Sequence, residues 1–525
     1  MRRLILLSTI FALSGFAVAQ QKAEPSPGSY QVSGMVVHAL SGQPLAGVTV
    51  VLALNVDSDL PRLTRPNSAS RPPEIHPVTT GSDGNFVFTG LKTGKYSLSA
   101  SKRGFSQQAY EQHENFSTAI IVGPDKDSSN LIFRLNPDAS ITGRIVDEHN
   151  EPVADAQVML YRDGMQNGRR GIYRMQQIQS SDEGIYRFAH VRPGRFYIAV
   201  SATPWYANYA GMRGRPGMMM RAIDGPTQPV EDGNSALDVA FPVTFYPGVT
   251  DSAQAEAIEL KAGQRESADF TLLAIPSLHI RVISAATEPG QFVTATLMQQ
   301  VFDTPEMGQR GRNMSFNQGI TEISGITPGH YLLQLHSNGQ NRGPGAPVAT
   351  RELDINSSMD VNAGDTPAGV NVTGTLRFDG PAPSEGTRLV LRRRAFAAPV
   401  TLQVSPEGKI SNEQPVQPDT YDLAFPVNGF QISQVSASGA KLKGQSIQIG
   451  ASDVRLTVVA AKSSARIEGV AQKDGKPMSG VMIVLVPEDM DRPLLYRRDQ
   501  SDSDGSFNLA AVTPGKYTLL ALENG

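Results

Sequence analysis

One short stretch of the sequence concentrates side chains that could bind a ligand. It contains the only tryptophan of the chain, Trp205, next to Tyr206 and close to Tyr209. A glycine- and methionine-rich segment follows and carries Arg213 and Arg215. Aromatic rings and arginines of this kind suit sugar stacking or a protein interface. These five residues are our candidate ligand-binding site. The alternative is that the rings cover the end of a domain and the segment is only a connecting loop.

The histidines and serines form no complete catalytic motif. His113 and Glu114 begin an H-E-x-x-H zinc motif, but Ser117 stands where the second histidine is needed. Ser99-x-x-Lys102 follows a Lys-Thr-Gly triplet, which reverses the order found in penicillin-binding serine enzymes, and the Ser-Asp-Asn triplet is missing. We therefore predict a protein that is not an enzyme and has neither a metal centre nor a cofactor.

Three aspartates near the end of the sequence resemble part of a calcium-binding loop. They are Asp499, Asp502 and Asp504. In the register of an EF-hand, the twelfth position would be Ala511, where a carboxylate is required. We therefore predict a polar β-turn here, with weak surface binding of calcium as the alternative.

The composition excludes several classes of protein. The 525 residues include no cysteine, which excludes disulfides, thiolate metal sites and cysteine nucleophiles. The formal net charge of −3 does not indicate the basic surface that nucleic-acid binding requires. A hydrophobic share of 40% is too high for a disordered chain. We expect several domains that are stable through packing alone.

The N-terminus has the pattern of a secretory signal peptide. Two arginines precede an apolar run from Leu4 to Val18, and Ala17 and Ala19 provide the small residues that signal peptidase requires. We predict cleavage after Ala19 and export to the periplasm, the outer surface or the medium. A membrane anchor is the alternative, but the run is short for a span, and no transmembrane segment is expected in the mature chain.

A repeated hairpin must position the candidate residues. It begins with an Asp-Gly or similar turn, continues through a strand of alternating apolar residues, and reaches a second turn glycine ten residues later. We predict a left-handed conformation for both glycines. The glycine pairs are Gly84/Gly94, Gly184/Gly194, Gly319/Gly329 and Gly505/Gly515, and a degenerate copy lies at 407–421.

Further strands flank this hairpin. An opening strand that contains Gly34, Gly143 or Gly469 leads through a proline-containing turn into a β-branched strand. Closing strands at 130–135 and 268–272 run directly into the next opening strand, which leaves almost no linker. The pattern predicts an all-β chain of tandem antiparallel β-sandwich domains, immunoglobulin-like or transthyretin-like, in an elongated array.

We predict the following organisation along the chain: signal peptide 1–19, linker 20–30, sandwich one 31–136, sandwich two 137–275 with a loop insertion 203–236, degenerate sandwich three 276–366, degenerate sandwich four 367–463 and sandwich five 464–525. The fifth sandwich lacks a closing strand in this sequence and would expose a sheet edge, so we expect a fragment of a longer protein, with a partner that covers the edge as the alternative.

The opening strand, the Asp-Gly turn and the second glycine together resemble the carboxypeptidase regulatory-like domain. Residues 34–98, 143–198 and 469–519 carry the pattern best. The resemblance implies a transthyretin-like sandwich, related to starch-binding-like modules, in exported proteins such as those of acidobacteria. It also implies a non-catalytic accessory module, since the zinc motif of the peptidase is missing.

We therefore expect a non-catalytic recognition or scaffolding protein of the cell envelope. Carbohydrate binding through the tryptophan segment is one alternative, with a polysaccharide or an envelope protein as the partner. An accessory role in an envelope peptidase or TonB-dependent receptor system is another. No interaction with nucleic acid is expected.

Overall fold

A computed structural model describes residues 30–523 of the chain with internal gaps. The gaps are 56–74, 127, 167–168, 209–234, 285–291, 308–313, 318–319, 339–348, 367, 384–386, 394–398, 428–429, 463–464, 489 and 491–494. The described residues form β-strands joined by turns and loops, with three short 3₁₀ turns at Ser235–Leu237, Ser252–Gln254 and Ala363–Asp365. The predicted signal peptide lies outside the described residues.

The first unit is a two-sheet sandwich. Its strands are β1 (Tyr30–His38), β2 (Thr49–Leu54), β3 (Ile75–Thr79), β4 (Asn85–Leu91), β5 (Gly94–Ser101), β6 (Gln108–Ala109), β7 (Ala119–Val122) and β8 (Leu131–Leu135). One sheet has the order β4-β1-β8, and the other has the order β3-β2-β5 with β6 and β7 on β5. Phe86, Leu98 and Phe133 are among the buried residues between the sheets.

The second unit repeats this arrangement and adds strands. They are β9 (Ala139–Val146), β10 (Gln157–Gln166), β11 (Arg169–Gln179), β12 (Ile185–Val191), β13 (Gly194–Ser201), β14 (Val239–Ala240), β15 (Thr244–Phe245), β16 (Ile258–Leu260), β17 (Arg265–Ser267), β18 (Phe270–Thr271) and β19 (Ile275–Pro276). Strand β9 lies between β12 and the β17–β18 segment, and the facing sheet is β11-β10-β13-β15. Tyr186, Phe188 and Ile198 are buried in its core.

The third unit consists of two four-stranded sheets. Its strands are β20 (Leu278–Ile283), β21 (Phe292–Val301), β22 (Thr304–Met307), β23 (Met314–Asn317), β24 (Ile320–Ile326), β25 (Gly329–Asn338), β26 (Ala349–Ile355) and β27 (Met359–Asn362). The sheet orders are β23-β24-β20-β27 and β22-β21-β25-β26. Tyr331 and Leu333 are buried between them.

In the fourth unit the strands join into one nine-stranded sheet. They are β28 (Val372–Asp379), β29 (Arg388–Arg393), β30 (Val400–Val404), β31 (Lys409–Asn412), β32 (Asp419–Ala424), β33 (Phe430–Ser438), β34 (Ala440–Lys443), β35 (Ser446–Ile449) and β36 (Val454–Lys462). Their order is β33-β36-β28-β31-β30-β29-β32-β35-β34, and the sheet encloses a core that includes Tyr421 and Leu456.

The fifth unit has fewer strands than the others. They are β37 (Ala465–Val470), β38 (Gln472–Lys473), β39 (Lys476–Pro477), β40 (Met482–Pro487), β41 (Arg497–Gln500), β42 (Ser506–Val512) and β43 (Tyr517–Leu522). Strand β37 pairs with β42, and β40 lies between β41 and β43. Phe507 and Leu509 are buried in its small core.

These sheets confirm the predicted all-β fold of tandem β-sandwich units. In the first four units the last strands run parallel to the opening strand, which closes the sheet on the side opposite the hairpin strand. The remaining pairings that we describe within the units are antiparallel. No helix in this part of the chain has the length and apolar composition needed to cross a membrane.

The first turn glycine of the hairpin behaves as predicted. Gly84, Gly184 and Gly505 have φ values of 72°, 73° and 77°, which favour glycine. The prediction for the second glycine is wrong at Gly94, at Gly329 and at Gly515, none of which is among the residues with positive φ. The fifth unit shows a physical reason at Gly515. A Cβ there would lie 3.3 Å from the ring of Tyr517, so this glycine makes room for the aromatic residue two positions later.

The left-handed residue lies four positions before the second glycine. Gly90, His190, Gly325 and Ala511 occupy this position with φ between 51° and 73°. The pairing with the opening strand shifts register at the same place in all four units. A β-bulge therefore accounts for the positive φ, because its extra residue interrupts the regular ladder.

Neighbouring units contact each other directly. Between the first two units, Ser106 donates a hydrogen bond to Asp138 with an Oγ–Oδ1 distance of 3.0 Å. Between the second and third units, His279 lies between Asp238 and Glu322, with Nε2–Oδ2 and Nδ1–Oε1 distances of 2.6 and 3.0 Å. These contacts are consistent with the absence of long linkers.

The fifth unit contacts the first, a relationship that the expected elongated array does not include. Gln500 Nε2 donates to the carbonyl oxygen of Glu111 and to Thr118 Oγ1, at 2.6 and 2.9 Å. The backbone N–H of Ser503 donates to the carbonyl oxygen of Ala119 at 2.9 Å. The first and fifth units are therefore in direct contact, so the units do not form one open row.

Candidate ligand-binding site

The candidate aromatic residues lie at one end of the second unit. Trp205 and Tyr206 follow β13 in a short turn, while Asp147, Glu148 and His149 follow β9 in the opposite sheet. The sandwich fold brings the two turns together, since the Tyr206 hydroxyl donates a hydrogen bond to the Glu148 carboxylate. The site is therefore built from the ends of two strands that are far apart in the sequence.

Trp205 projects into solvent. Its exposed fraction is 78%, the highest among the exposed large hydrophobic residues of the described chain. The indole ring meets Tyr206 edge to face, with ring centroids 5.7 Å apart and planes at 86°. The alternative that Trp205 covers the end of the sandwich core is therefore wrong, because a residue that covers the core loses most of its exposed area. An exposed ring held by a neighbouring ring can stack on an apolar face of a ligand.

Tyr206 is held in place from two sides. Its hydroxyl binds Glu148, and its ring meets His149 edge to face at a centroid distance of 6.5 Å. Partial burial and the nearby Glu148 carboxylate raise the pKa of Tyr206, so its hydroxyl stays protonated and remains a donor. The hydrogen bond from Tyr206 therefore holds the Glu148 carboxylate beside the tyrosine ring.

Asp147 stabilises the turn that carries Glu148. Its buried carboxylate accepts the backbone N–H groups of His149 and Glu151, with N–Oδ1 distances of 2.8 and 2.9 Å. Local hydrogen bonds of this kind fix tight turns. The turn therefore presents Glu148 and His149 in a fixed arrangement.

This turn also contains the one group of potential metal ligands found among the described residues. One ligand atom each from Asp147, Glu148 and His149 lies within 4.8 Å of the others. Asp147 already accepts two backbone hydrogen bonds, and Glu148 accepts the hydroxyl of Tyr206. Asp147 therefore stabilises the turn and Glu148 binds Tyr206, and we do not assign a metal centre to them.

The remaining candidate residues lie outside the described residues. They are Tyr209, Arg213 and Arg215. Conversely, sequence reasoning missed Glu148 and His149 as neighbours of Tyr206. The available signal was the acidic Asp147-Glu148-His149 turn after the opening strand, but the partner of that turn is set by the packing of the two sheets.

The aspartates that resemble a calcium loop are engaged elsewhere. Asp502 Oδ2 lies 2.7 Å from Lys95 Nζ, and Asp504 Oδ2 lies 2.6 Å from Lys126 Nζ. Asp499 accepts a backbone N–H of its own unit. Two of the three carboxylates are thus paired with lysines of the first unit, and the predicted polar turn forms part of the contact between units.

The first unit matches a known domain family. The sequence model of one family, the carboxypeptidase regulatory-like domain, matches residues 31–135, which are about a fifth of the chain. The resemblance that the motifs carry is therefore confirmed for the first unit. For residues 143–198 and 469–519 it remains a prediction.

Low-level similarity is found to solved structures of bacterial proteins, pilins among them. The minor pilin GBS52 of Streptococcus agalactiae is 13% identical over 47% of this chain and 97% of that chain, with a TM-score of 0.22. The TIE protein of Bacillus anthracis is 10% identical over 83% of this chain and 75% of that chain, with a TM-score of 0.17. A streptococcal ancillary pilin is 10% identical over 63% of this chain and 99% of that chain, with a TM-score of 0.20. At such TM-scores the whole chains do not superpose. A search of curated proteins gives no match.

Proposed function

We propose that this chain is a non-catalytic recognition protein of the cell envelope that binds carbohydrate at the Trp205 end of its second unit. The observation that carries the proposal is the exposure of Trp205, whose ring is 78% accessible yet held edge to face by Tyr206. A large exposed ring costs solvation free energy unless a ligand covers it. Sugar rings offer a flat C–H face that suits such a platform.

The polar groups beside Tyr206, whose ring meets the indole, suit sugar hydroxyls. Glu148 is an acceptor, and the exposed imidazole of His149 lies next to Tyr206. A stacking surface with a few fixed polar groups at its edge is typical of small-molecule sites. The match of the first unit to a regulatory-like domain and the incomplete catalytic motifs support a binding role over an enzymatic one. The N-terminal pattern supports export.

Intrinsic fluorescence tests the proposal directly, because the single tryptophan reports on this site alone. Plant and bacterial oligosaccharides, including cello-, xylo-, manno- and chito-oligomers, are titrated into the full chain. We expect at least one series to quench or shift the Trp205 emission in a saturable manner. Affinity electrophoresis in gels that contain the matching polysaccharide provides a second readout.

Two variants distinguish stacking on Trp205 from nonspecific adsorption to an exposed apolar residue. Trp205→Ala is expected to lose retardation in the affinity gel, while Met175→Ala, an exposed apolar residue of the same unit, should migrate like the wild type. Tyr206→Phe removes the hydrogen bond to Glu148 and should weaken binding less than Trp205→Ala. The proposal fails if no polysaccharide changes the emission, or if Trp205→Ala binds as well as the wild type.

A further inference from the structure

The end of the second unit that carries Trp205 is strongly acidic. Three segments form this end, at residues 147–156, 180–184 and 202–208. They contain no lysine or arginine but six carboxylates, of which Asp147 is buried. The other five belong to exposed residues: Glu148, Glu151, Asp155, Asp182 and Glu183. The segment 209–234 has three arginines and three acidic residues, so it adds no net charge to this end.

The fold does not require this charge, because the first unit has the same architecture without it. The three corresponding segments of the first unit are 39–48, 80–84 and 102–107. They contain one aspartate, one lysine and one arginine, which gives a small positive charge. The acidic end is therefore a property of the second unit, and it lies where that unit exposes its tryptophan.

The first unit also shows what the ring position binds when it is filled. Phe105 lies four residues after the end of β5, as Trp205 lies four residues after the end of β13. The Lys102 ammonium lies over the Phe105 ring, with Nζ 5.7 Å from the centroid, which is within the range of a cation–π interaction. In the second unit the position of Lys102 is occupied by Ala202. The larger ring of Trp205 therefore receives no ammonium from that position.

We propose that the Trp205 end of the second unit selects a cationic amino sugar, a saccharide that carries a primary ammonium as oligomers of glucosamine do. This inference rests on the proposed carbohydrate-binding function and names its substrate class. Tryptophan provides the most favourable aromatic face for a cation, and it also stacks on the C–H face of a sugar. Glu148, which is hydrogen-bonded to Tyr206, supplies an acceptor and an opposite charge. The other carboxylates attract cationic sugars and repel uronic acids.

Hexamers of glucosamine and of N-acetylglucosamine compare a cationic with a neutral chain of the same linkage. Each hexamer carries a fluorescent label and is titrated into the full chain at pH 6, where the amines of glucosamine are protonated, and anisotropy is followed. We expect the glucosamine hexamer to bind at least about fivefold more tightly at low ionic strength. High salt should reduce this ratio, because it screens the charges. A galacturonic acid hexamer should bind more weakly than the neutral hexamer.

Two carboxylates of the same unit provide a matched pair of variants. Glu148→Gln keeps an acceptor for the Tyr206 hydroxyl but removes the charge, so it should reduce the preference for glucosamine about threefold and leave binding of the neutral hexamer unchanged. Glu259→Gln removes a carboxylate at the other end of β13, where Glu259 is paired with Arg195, and should keep the full preference. Thermal unfolding checks that both variants fold.

The outcomes separate this inference from the proposed function. Equal affinity for the glucosamine and N-acetylglucosamine hexamers, or a preference that Glu148→Gln leaves unchanged, would overturn the amino-sugar assignment while carbohydrate binding stands. A lysine tetrapeptide that binds as tightly as the glucosamine hexamer would also overturn it, and would assign this end to a basic protein. Failure of every oligosaccharide to bind would overturn the proposed function together with the inference.

Discussion

Lys95 and Asp502 lie 407 positions apart in the sequence, and their side chains form an ion pair with an Nζ–Oδ2 distance of 2.7 Å. Lys95 belongs to the second hairpin strand of the first unit, and Asp502 belongs to the turn of the hairpin in the fifth unit. Gln500, two positions earlier, is also buried in this contact. The two ends of the described chain are therefore joined by specific polar interactions.

Asp502→Asn is expected to stabilise the fifth unit at pH 7. Burial raises the pKa of Asp502 to about 6, although Lys95 opposes this shift. The folded protein therefore binds this proton more tightly than the unfolded chain, where an aspartate titrates near 3.9. It follows that the wild type gains stability as the pH falls from about 6 to about 4, and the asparagine variant should not. The expected difference at pH 7 is about 1–3 kcal/mol, measured by calorimetry as a function of pH.

Asp504→Asn is the matched control for this prediction. Burial of Asp504 opposes ionisation, but Lys126 and Ser506 lower its pKa overall. This carboxylate contributes stability at neutral pH that is lost as the pH falls, so its removal should destabilise the contact at pH 7. If both variants shift stability in the same direction, the assignment of opposite roles to the two aspartates is wrong.

The junction of the second and third units should weaken as the pH rises. Burial lowers the pKa of His279, but hydrogen bonds to Asp238 and Glu322 raise it by more, so the net shift is upward. The histidine therefore contributes stability that is present below about pH 6.5 and is lost as the pH rises through its folded pKa. Hydrogen exchange at 277–283 should accelerate between pH 6 and 8 beyond the intrinsic increase. His279→Gln should show the intrinsic increase alone, and identical profiles for both proteins would contradict the prediction.

Phe302→Ala should loosen the same junction by removing apolar contacts. The ring of Phe302, in the turn after β21, lies 5.0 Å from Tyr161, 5.3 Å from Tyr197 and 5.0 Å from Phe245, measured between centroids. Removal of a packed phenylalanine costs about 3–5 kcal/mol in a core and less for a ring that, like Phe302, is only partly buried. We expect a loss of about 2 kcal/mol by calorimetry. Phe302→Leu keeps most of the apolar volume and should lose less, so an equal loss in both variants would argue against ring packing.

Ala511→Gly should stabilise the fifth unit. Ala511 is held at φ 51° in the β-bulge, where the first and third units have Gly90 and Gly325. A left-handed conformation costs a residue with a Cβ roughly 1–2 kcal/mol, so glycine should raise stability by about 1 kcal/mol. Ala510→Gly, one position earlier and without a positive φ, should lower stability by about 0.5–1 kcal/mol. Thermal unfolding of the two variants measures the difference, and a loss of stability in both would contradict the prediction.

Local features of the fold could be predicted from the sequence because their causes are local. A positive φ is needed at the turn of each hairpin, and Gly84, Gly184 and Gly505 satisfy it within a few residues of chain. The alternation of apolar residues likewise identifies the strands, because successive side chains of a strand point to opposite faces. Trp205 and Tyr206 were identified by their residue types alone.

The tertiary structure decided what these local features contact. The role of Gly515 depends on the ring of Tyr517 that packs over it, and the neighbours of Tyr206 depend on how two sheets bring their ends together. Asp502 resembles a cation ligand in sequence but pairs with Lys95, because the fifth unit packs against the first. Contacts over such distances depend on the placement of whole units, and no short pattern of residues specifies that placement.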